Sequence, residues 1–458
     1  MSEATRAQTE RVSPRVSTFF CCHKLGIRSR KRLFVQTHSG NRVNNFLFLK
    51  EKIMRKLFTA LTVLLIVVSC SQERHDQNIE QKIERIEKGL IEFNSLACML
   101  QPDSAQLANP KTLTGRMEYY KVPGVSISVI NNNQIEWSKA YGTTDKNTGA
   151  PVTRETIFEA ASTSKFITAV TALHFAQKGL IELDTNINDY LKSWQVPENE
   201  FTQRNKVTLR RLLTHQAGMP TTNFGHDENA GYPTLLNVLN GESPALNKPA
   251  VPELVPGTKW QYSNVAYDVI QLLLEDVSGK PFQQIAEEII FAPLGMHNST
   301  FVYQLDSEKK KREAMPHDAD GISRKPEMHL TALAHAGLTT TPIDLAKFTT
   351  EIMLSYRGKS ETILSQEMTK QLFSKEVNLD PKMFGMPLSE GLGVFLTGEG
   401  KDLLFMHPGS NLPGLNCWLI GWPERGTAAI VMTNGAKGEV LAMEIISAIN
   451  LEYNKTSD

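Results

Sequence analysis

Several features that identify particular protein classes are missing from this 458-residue sequence. It has five cysteines and no Cys-x-x-Cys pair, which argues against a dense disulfide framework and a zinc-finger type of site. It contains no His-Glu-x-x-His, no Gly-x-Ser-x-Gly and no Gly-x-x-x-x-Gly-Lys. The motifs of zinc proteases, α/β-hydrolases and P-loop proteins are therefore absent. The sequence has no repeat of fixed period, which argues against a solenoid.

The chain also has no net charge, but its charged residues are unevenly distributed. Residues 1–53 carry a net charge of +8, whereas residues 70–458 carry a net charge of −10. An acidic body without a basic patch argues against a nucleic-acid partner. Cys98 and Cys417 are the only cysteines after Cys70, and the sequence leaves open whether they form a disulfide.

Residues 54–70 have the pattern of a secretory signal. Met54-Arg55-Lys56 precedes the apolar run Leu57–Val68, which is too short to span a bilayer and ends at small residues. The end of this segment resembles the lipobox of bacterial lipoproteins, in which the cysteine, here Cys70, carries the lipid. We therefore expect an exported protein, periplasmic or at the cell surface, attached to a bacterial membrane by a lipid anchor.

A signal peptide has to be N-terminal, yet residues 1–53 precede this one. Our hypothesis is that Met54 is the true start and that residues 1–53 are a non-native upstream extension; their peptides in a mass spectrum of the native protein would refute it. Residues 71–114 are interpreted as a polar tether with an amphipathic helix. Residues 115–455 are interpreted as the main domain.

The main domain is predicted to be α+β. Apolar alternation predicts strands near both ends of the domain, and helical periodicity dominates its middle. The predicted strands are 125–129, 135–141, 393–396, 403–406, 417–421 and 428–433. We expect one antiparallel sheet flanked by helices, a mainly helical subdomain, and a ligand cleft between the two.

Ser162-x-x-Lys165 opens an apolar helical pattern that ends near Gly179. If a helix begins at Ser162, the Lys165 amine can reach the Ser162 hydroxyl one turn away. A serine becomes nucleophilic when a neighbouring base takes its proton, and a lysine of lowered pKa can serve. Taken alone, a serine in this position is more often a helix N-cap than a nucleophile. The same tetrapeptide recurs at Ser307–Lys310, within a charged run that is typical of solvated surface.

Tyr262-x-Asn264 is a candidate second group for proton transfer. A tyrosinate beside a lysine ammonium could accept the serine proton, since an opposite charge lowers the pKa of a tyrosine. Asn264 could bind the Lys165 amine and a substrate amide. The structural alternative is a loop tyrosine that buries its ring, followed by a helix cap.

His407-Pro408-Gly409-Ser410 follows a predicted short strand. Gly409 would let that strand approach a ligand closely. The N–H groups of Ser410 and Ser162 could form an oxyanion hole, and His407 could contact the substrate. His-x-Gly also occurs at His38 and His335, and His215, in a polar turn, is interpreted as structural.

These three motifs, in this order and at these spacings, resemble those of the serine β-lactamase-like hydrolases. The similarity is greatest to class C β-lactamases, related D,D-carboxypeptidases and D-aminopeptidases, and esterases, and it covers residues 115–450. It implies a β-lactamase/transpeptidase-like fold in which Ser162 is the nucleophile and Lys165 and Tyr262 share the general-base work. The N–H groups of Ser162 and Ser410 would hold the oxyanion of an acyl-enzyme, and no metal or organic cofactor is implied.

The third motif departs from the β-lactamase pattern. Those enzymes usually have Lys-Thr-Gly, whereas this chain has His407 and Pro408, so a permanent charge and a hydroxyl are both missing. A neutral histidine is a poorer partner for a carboxylate. The resemblance therefore implies a hydrolase of amides or esters, such as a cell-wall D-amino-acid peptide, and puts efficient β-lactam hydrolysis in doubt. The alternatives are an esterase for small acyl esters and a non-catalytic lipoprotein that binds cell-wall peptides.

Overall fold

A computed structural model describes residue 54 and residues 76–221, 225, 230–302, 304–325 and 332–454. The chain divides into two units, residues 1–73 and 74–458, and the fold described below is that of the second unit. Residues 1–53 and the lipobox-like segment with Cys70 lie outside the described residues.

The second unit is built on one nine-stranded antiparallel sheet, in the order β3-β2-β1-β11-β10-β9-β8-β7-β6. Because β1 pairs with β11, the first hairpin and the last strands share this sheet, as the sequence predicted. The strands are β1 (Gly124–Asn131), β2 (Gln134–Asp145), β3 (Ala150–Pro151), β6 (Val377–Asn378), β7 (Ser389–Glu390), β8 (Phe395–Thr397), β9 (Leu404–Asn411), β10 (Leu415–Trp422) and β11 (Thr427–Thr433). A separate pair joins β4 (Phe158–Glu159) to β5 (Thr339–Thr340).

Helices flank the sheet, and together with the sheet they confirm the predicted α+β class. They are α1 (76–88), α2 (Leu96–Leu100), α3 (Ser104–Leu107), α4 (Leu113–Tyr120), α5 (Ser164–Gln177), α6 (Leu209–Leu213), α7 (Leu235–Asn240), α8 (Asn264–Ser278), α9 (Phe282–Ala286), α10 (Ala292–Leu294), α11 (Ser307–Lys310), α12 (Pro342–Tyr356), α13 (Gln366–Leu372), α14 (Pro381–Phe384) and α15 (Gly438–Tyr453).

The central strands are buried on both faces, because their side chains alternate between two cores. Val431 of β11 points to a core that it shares with Ile445 of α15 and with α1 and α4. Ile430 of the same strand points to the opposite core, which contains Phe166 of α5 together with α8 and α12. The sheet thus separates two helical layers; α12 lies along its second face, and Phe166 of α5 contacts Phe405 of β9.

Two of the predicted boundaries that differ from the structure lie at the candidate site. The helix expected to begin at Ser162 begins at Ser164, and Ser162 lies in the preceding 3₁₀ turn Ala161–Thr163. The strand expected to end at Met406 continues to Asn411, so the His407 motif lies within β9. Cys98 and Cys417 are both free thiols, which settles the question of a disulfide between them.

A buried ion pair fastens α4 to α15. The Glu444 carboxylate is fully buried and accepts hydrogen bonds from Arg116 Nε at 2.8 Å, Arg116 Nη2 at 2.6 Å and the Tyr120 hydroxyl at 2.8 Å. The backbone N–H of Phe93 also donates to it at 3.1 Å. Because all these donors converge on one carboxylate, the pair holds the N-terminal helices against the C-terminal helix.

We predict that Arg116→Met lowers the free energy of unfolding by about 3–5 kcal/mol, because Glu444 would be left as a buried charge without its cation. Denaturation in guanidinium chloride measures this change. The matched control is Lys88→Met, which removes an exposed ion pair with Glu84 and should leave the free energy of unfolding nearly unchanged. Equal losses in the two variants would contradict the prediction.

Candidate active site

The turn that carries Ser162 is held in an unusual backbone conformation. Ala161 has a φ of +48°, which non-glycine residues seldom adopt. The Ser164 hydroxyl donates to the Ala161 carbonyl at 2.6 Å and accepts from the backbone N–H of Leu338 at 3.0 Å. These bonds fix the turn before α5 begins, so that Ser162 is partly exposed while both of its neighbours are buried. Strained backbone of this kind concentrates at functional sites.

Lys165 lies directly behind the Ser162 hydroxyl. Its Nζ donates to Ser162 Oγ at 3.2 Å and to the carbonyl oxygen of His335 at 2.8 Å. The lysine side chain is completely buried. Burial lowers the pKa of its amine to about 7, although the carboxyl groups of Asp268 and Glu390 act in the opposite direction. Near neutral pH a large fraction of the amine is therefore uncharged and able to accept a proton.

Tyr262 completes the group around Ser162. Lys165 Nζ lies 4.9 Å from the centre of the Tyr262 ring, and the Ser162 hydroxyl is next to the phenol. Burial raises the pKa of Tyr262, and the hydrogen-bonding influence of Ser162 only partly opposes the rise. The expected tyrosinate is thus disfavoured, because loss of hydration outweighs any attraction to the lysine. The geometry instead pairs a neutral phenol with a base of low pKa.

Asn264 is the first residue of α8 and lies near this group in sequence. Its Oδ1 atom is buried and has no hydrogen-bond partner among the described residues. The predicted hydrogen bond between Asn264 Oδ1 and the Lys165 amine is therefore not formed, and that amine binds the His335 carbonyl instead.

Strand β9 packs directly against the Ser162 turn. A Cβ atom on Gly409 would overlap the Ala160 carbonyl and lie 2.9 Å from the backbone nitrogens of Ser162 and Thr163. The Thr163 hydroxyl also donates to the His407 carbonyl at 3.2 Å. Only glycine allows this approach, which brings the Ser162 N–H and the β9 backbone close together.

The outer edge of β9 is open beside this contact. Strand β8 pairs with β9 only as far as Met406, and among the described residues no strand continues the pairing along His407–Asn411. On its other side, Ser410 pairs with Asn416 of β10. An unpaired strand edge offers backbone donors and acceptors to a ligand. Ser410 is therefore placed where its backbone could bind a substrate carbonyl.

His407 is on the same strand but is 99% buried. Burial, together with the positive charge of Lys165, lowers the pKa of its imidazole to about 3. Its Nδ1 lies 2.8 Å from the Pro408 carbonyl, to which a neutral ring can donate. At neutral pH this residue has no charge to offer a substrate carboxylate.

Three buried groups at the site were missed by sequence reasoning or given a structural role. The His215 ring lies 4.3 Å from the Tyr262 ring, and burial keeps its pKa well below the ordinary value. Glu390 and Asp268 influence the pKa of Lys165 from β7 and α8. The sequence signal for Asp268 is an acidic residue within the apolar run Ala266–Ile270. Such a pattern indicates a buried acid but does not show which residue it contacts.

Other candidates in the sequence lie elsewhere. Ser307 and Lys310 form the short exposed helix α11, which confirms the surface interpretation of the second Ser-x-x-Lys. Within the described ranges there is no cluster of acidic, histidine and cysteine side chains suited to a metal ion, and no helix is long and apolar enough to cross a bilayer.

Comparison with curated proteins places this chain among bacterial relatives. Protein flp of Staphylococcus aureus strain MW2 is 24% identical over 318 residues, which are 68% of this chain and 60% of that protein. A putative D-alanyl-D-alanine carboxypeptidase of Escherichia coli K12 is 26% identical over 283 residues, 55% of this chain and 64% of that protein. The chain thus spans less than two thirds of the length of either relative.

Solved structures share the fold. The octameric penicillin-binding protein homologue of Pyrococcus abyssi superposes with a TM-score of 0.59 at 22% identity, covering 74% of this chain and 75% of its own. A penicillin-binding protein of Bacillus halodurans has the same TM-score at 21% identity and is covered over 98% of its chain. The family description "Beta-lactamase" matches residues 110–452, three quarters of the sequence that contain Ser162, Tyr262 and Gly409. This chain belongs to the β-lactamase family.

Proposed function

We propose that this protein is a serine hydrolase that forms an acyl-enzyme on Ser162 from an amide or ester. The observation that carries the proposal is the 3.2 Å contact between Lys165 Nζ and Ser162 Oγ, made by an amine whose pKa burial lowers to about 7. A base is most effective when its pKa lies near the working pH. Lys165 would take the proton from Ser162 as the hydroxyl oxygen attacks the substrate carbonyl.

The remaining groups have roles that follow from their positions. The N–H groups of Ser162 and Ser410 would hold the oxyanion of the tetrahedral intermediate. Tyr262, as a neutral phenol next to the serine, would pass a proton to the leaving group and regain it from the Lys165 ammonium. Water would then hydrolyse the acyl-enzyme, releasing the acid and restoring the Ser162 hydroxyl.

The substrate class proposed first is a cell-wall D-amino-acid peptide. Its support is the family and the resemblance to a relative described as a putative D-alanyl-D-alanine carboxypeptidase. The second candidate is an ester of a small acyl group, and the state of His407 favours it. A buried, neutral imidazole cannot neutralise the terminal carboxylate of a peptide or a β-lactam.

A fluorophosphonate probe tests the nucleophile. We expect intact mass measurement to show one adduct on the wild type and none on Ser162→Ala. The matched control is Ser307→Ala, which removes the serine of the second, exposed Ser-x-x-Lys and should label normally. Absence of an adduct on the wild type, under conditions that label a control hydrolase, would refute the enzyme proposal and favour a binding protein.

Substitution of Gly409 tests the contact between β9 and the Ser162 turn. Gly409→Ala should lower the labelling rate at least about 100-fold, since the added methyl group displaces the strand and removing one oxyanion donor costs about that much. Gly179→Ala is the control, because a Cβ there meets open space although φ is +70°. Labelling of Gly409→Ala at the wild-type rate would exclude an oxyanion role for this strand.

A pair of substrates tests the role of His407. For a D-alanyl peptide, we expect kcat/KM for the free acid and for its C-terminal amide to agree within about threefold. A cation that held the carboxylate would favour the acid by about tenfold or more, as expected for a hydrogen bond between charged groups. Such a preference would contradict the neutral state of His407. Turnover of p-nitrophenyl esters but of neither peptide would select the esterase alternative.

A further inference from the structure

We propose that the buried pair Asp268–His335 is a positioning device for Lys165. It fixes the backbone carbonyl to which the amine is bound, and it places a negative charge behind that amine. The inference rests on the proposed function, because it assigns the pair a part in preparing Lys165 to accept the proton of Ser162.

The pair itself is short and enclosed. Asp268 lies on α8, one turn after Asn264, and its Oδ1 accepts a hydrogen bond from His335 Nδ1 at 2.6 Å. Both side chains are at least 99% buried. The second carboxylate oxygen, Oδ2, has no hydrogen-bond partner among the described residues. A buried carboxylate satisfied on one side only is costly for folding, which favours a role beyond packing.

His335 belongs to a segment, residues 332–338, that passes between α8 and α5; we call it the acceptor segment. On one side, Gln271 Oε1 of α8 accepts from the N–H groups of Leu333 at 2.8 Å and Ala334 at 3.1 Å. On the other, Thr168 of α5 donates to the Ala334 carbonyl at 2.8 Å. The next carbonyl along the chain is that of His335, which accepts from Lys165 Nζ. The two helices therefore fix the position of the acceptor segment relative to the Lys165 amine.

Of the hydrogen bonds just described for the acceptor segment and the Asp268–His335 bond, only the latter joins two ionisable side chains. It joins the residue whose carbonyl binds the amine to the same helix that follows Tyr262. Asp268 and Glu390 are the two acids that raise the pKa of Lys165, and Asp268 has the larger effect. Burial raises the pKa of Glu390 well above its ordinary value, so that Glu390 tends to be neutral. Asp268 is therefore the acid expected to set the electrostatic field at Lys165.

Burial keeps four other ionisable groups near Lys165 uncharged at neutral pH. It lowers the pKa of His215 and His407 and raises the pKa of Tyr262 and Tyr267. The ionisable groups that face Lys165 are thus Asp268 and Tyr267 of α8, Tyr262 before α8, His215 after α6, Glu390 of β7, His407 of β9 and His335 of the acceptor segment.

Asp268→Asn tests the charge, because it keeps an oxygen for the His335 bond. For the wild type we expect the rate of probe labelling to rise with pH through about 7, as Lys165 loses its proton. Removing a neighbouring negative charge lowers the pKa of an amine. The variant's midpoint should therefore move to lower pH by about one unit. If Asp268→Asn is labelled by the probe and melts at the wild-type temperature, a pH profile that coincides with that of the wild type would overturn the inference.

Three further variants separate charge from anchoring. Gln271→Ala loosens the acceptor segment without removing a charge and should lower the rate while leaving the midpoint in place. Glu390→Gln should move the midpoint less than Asp268→Asn does. Glu351→Gln is the stability control, since Glu351 is a buried acid of α12 that binds Ser355 and Ser360 away from the site. A midpoint shift of equal size in any of the three would also overturn the inference.

A measurement on the wild-type protein covers the case in which Asp268→Asn does not fold. The proton in the His335–Asp268 bond should give a downfield imidazole N–H resonance, assigned by its loss in His335→Gln. We expect its chemical shift to change near pH 7, because Lys165 loses its charge there. The same change is expected in Ser162→Ala, which lacks the nucleophile. A resonance that does not titrate would overturn this inference while leaving the proposed function intact, whereas failure of Ser162 to label would remove the proposed function itself.

Discussion

The structure depends most on the complete burial of the Lys165 amine. An ammonium group removed from water is costly, so the amine tends to lose its proton, and burial lowers its pKa to about 7. The same enclosure raises the pKa of Tyr262 and lowers that of His407. One physical cause therefore produces a base that is largely uncharged near neutral pH, a neutral phenol and a neutral imidazole around a single serine.

Two packing contacts make this enclosure possible. Gly409 brings β9 onto the Ser162 turn, and the acceptor segment closes the opposite side of the lysine. Both contacts involve backbone, which cannot be displaced as easily as a flexible side chain. The short β4–β5 pair connects them, since β4 leads into the Ser162 turn and β5 follows the acceptor segment. The geometry of the site is thus set by the chain path and not by one side chain.

The burial of the site gives a physical reason why the third motif has His407 where β-lactamases usually have lysine. A lysine at this buried position would stand beside Lys165 and would repel its positive charge. The imidazole avoids that cost by remaining neutral, and its ring nitrogen can donate to the neighbouring Pro408 carbonyl. The site retains the groups for acyl transfer but lacks the charge for binding a carboxylate at this position, which is why an uncharged ester or amide fits it as well as a peptide acid.

The sequence by itself determined the class of the fold and the members of the central group. Apolar alternation predicted the main strands, and Ser162-x-x-Lys165 and Tyr262 predicted the contacts of the serine with the lysine amine and the phenol. Local patterns cannot report burial or contacts between distant segments. The start of α5 at Ser164, the extension of β9 through His407, the protonation state of Tyr262 and the pairing of Asp268 with His335 were therefore decided by tertiary structure. Each depends on contacts with residues that are distant in sequence. Those neighbours remove water from the site, and this desolvation sets the pKa values and protonation states that the motifs alone do not determine.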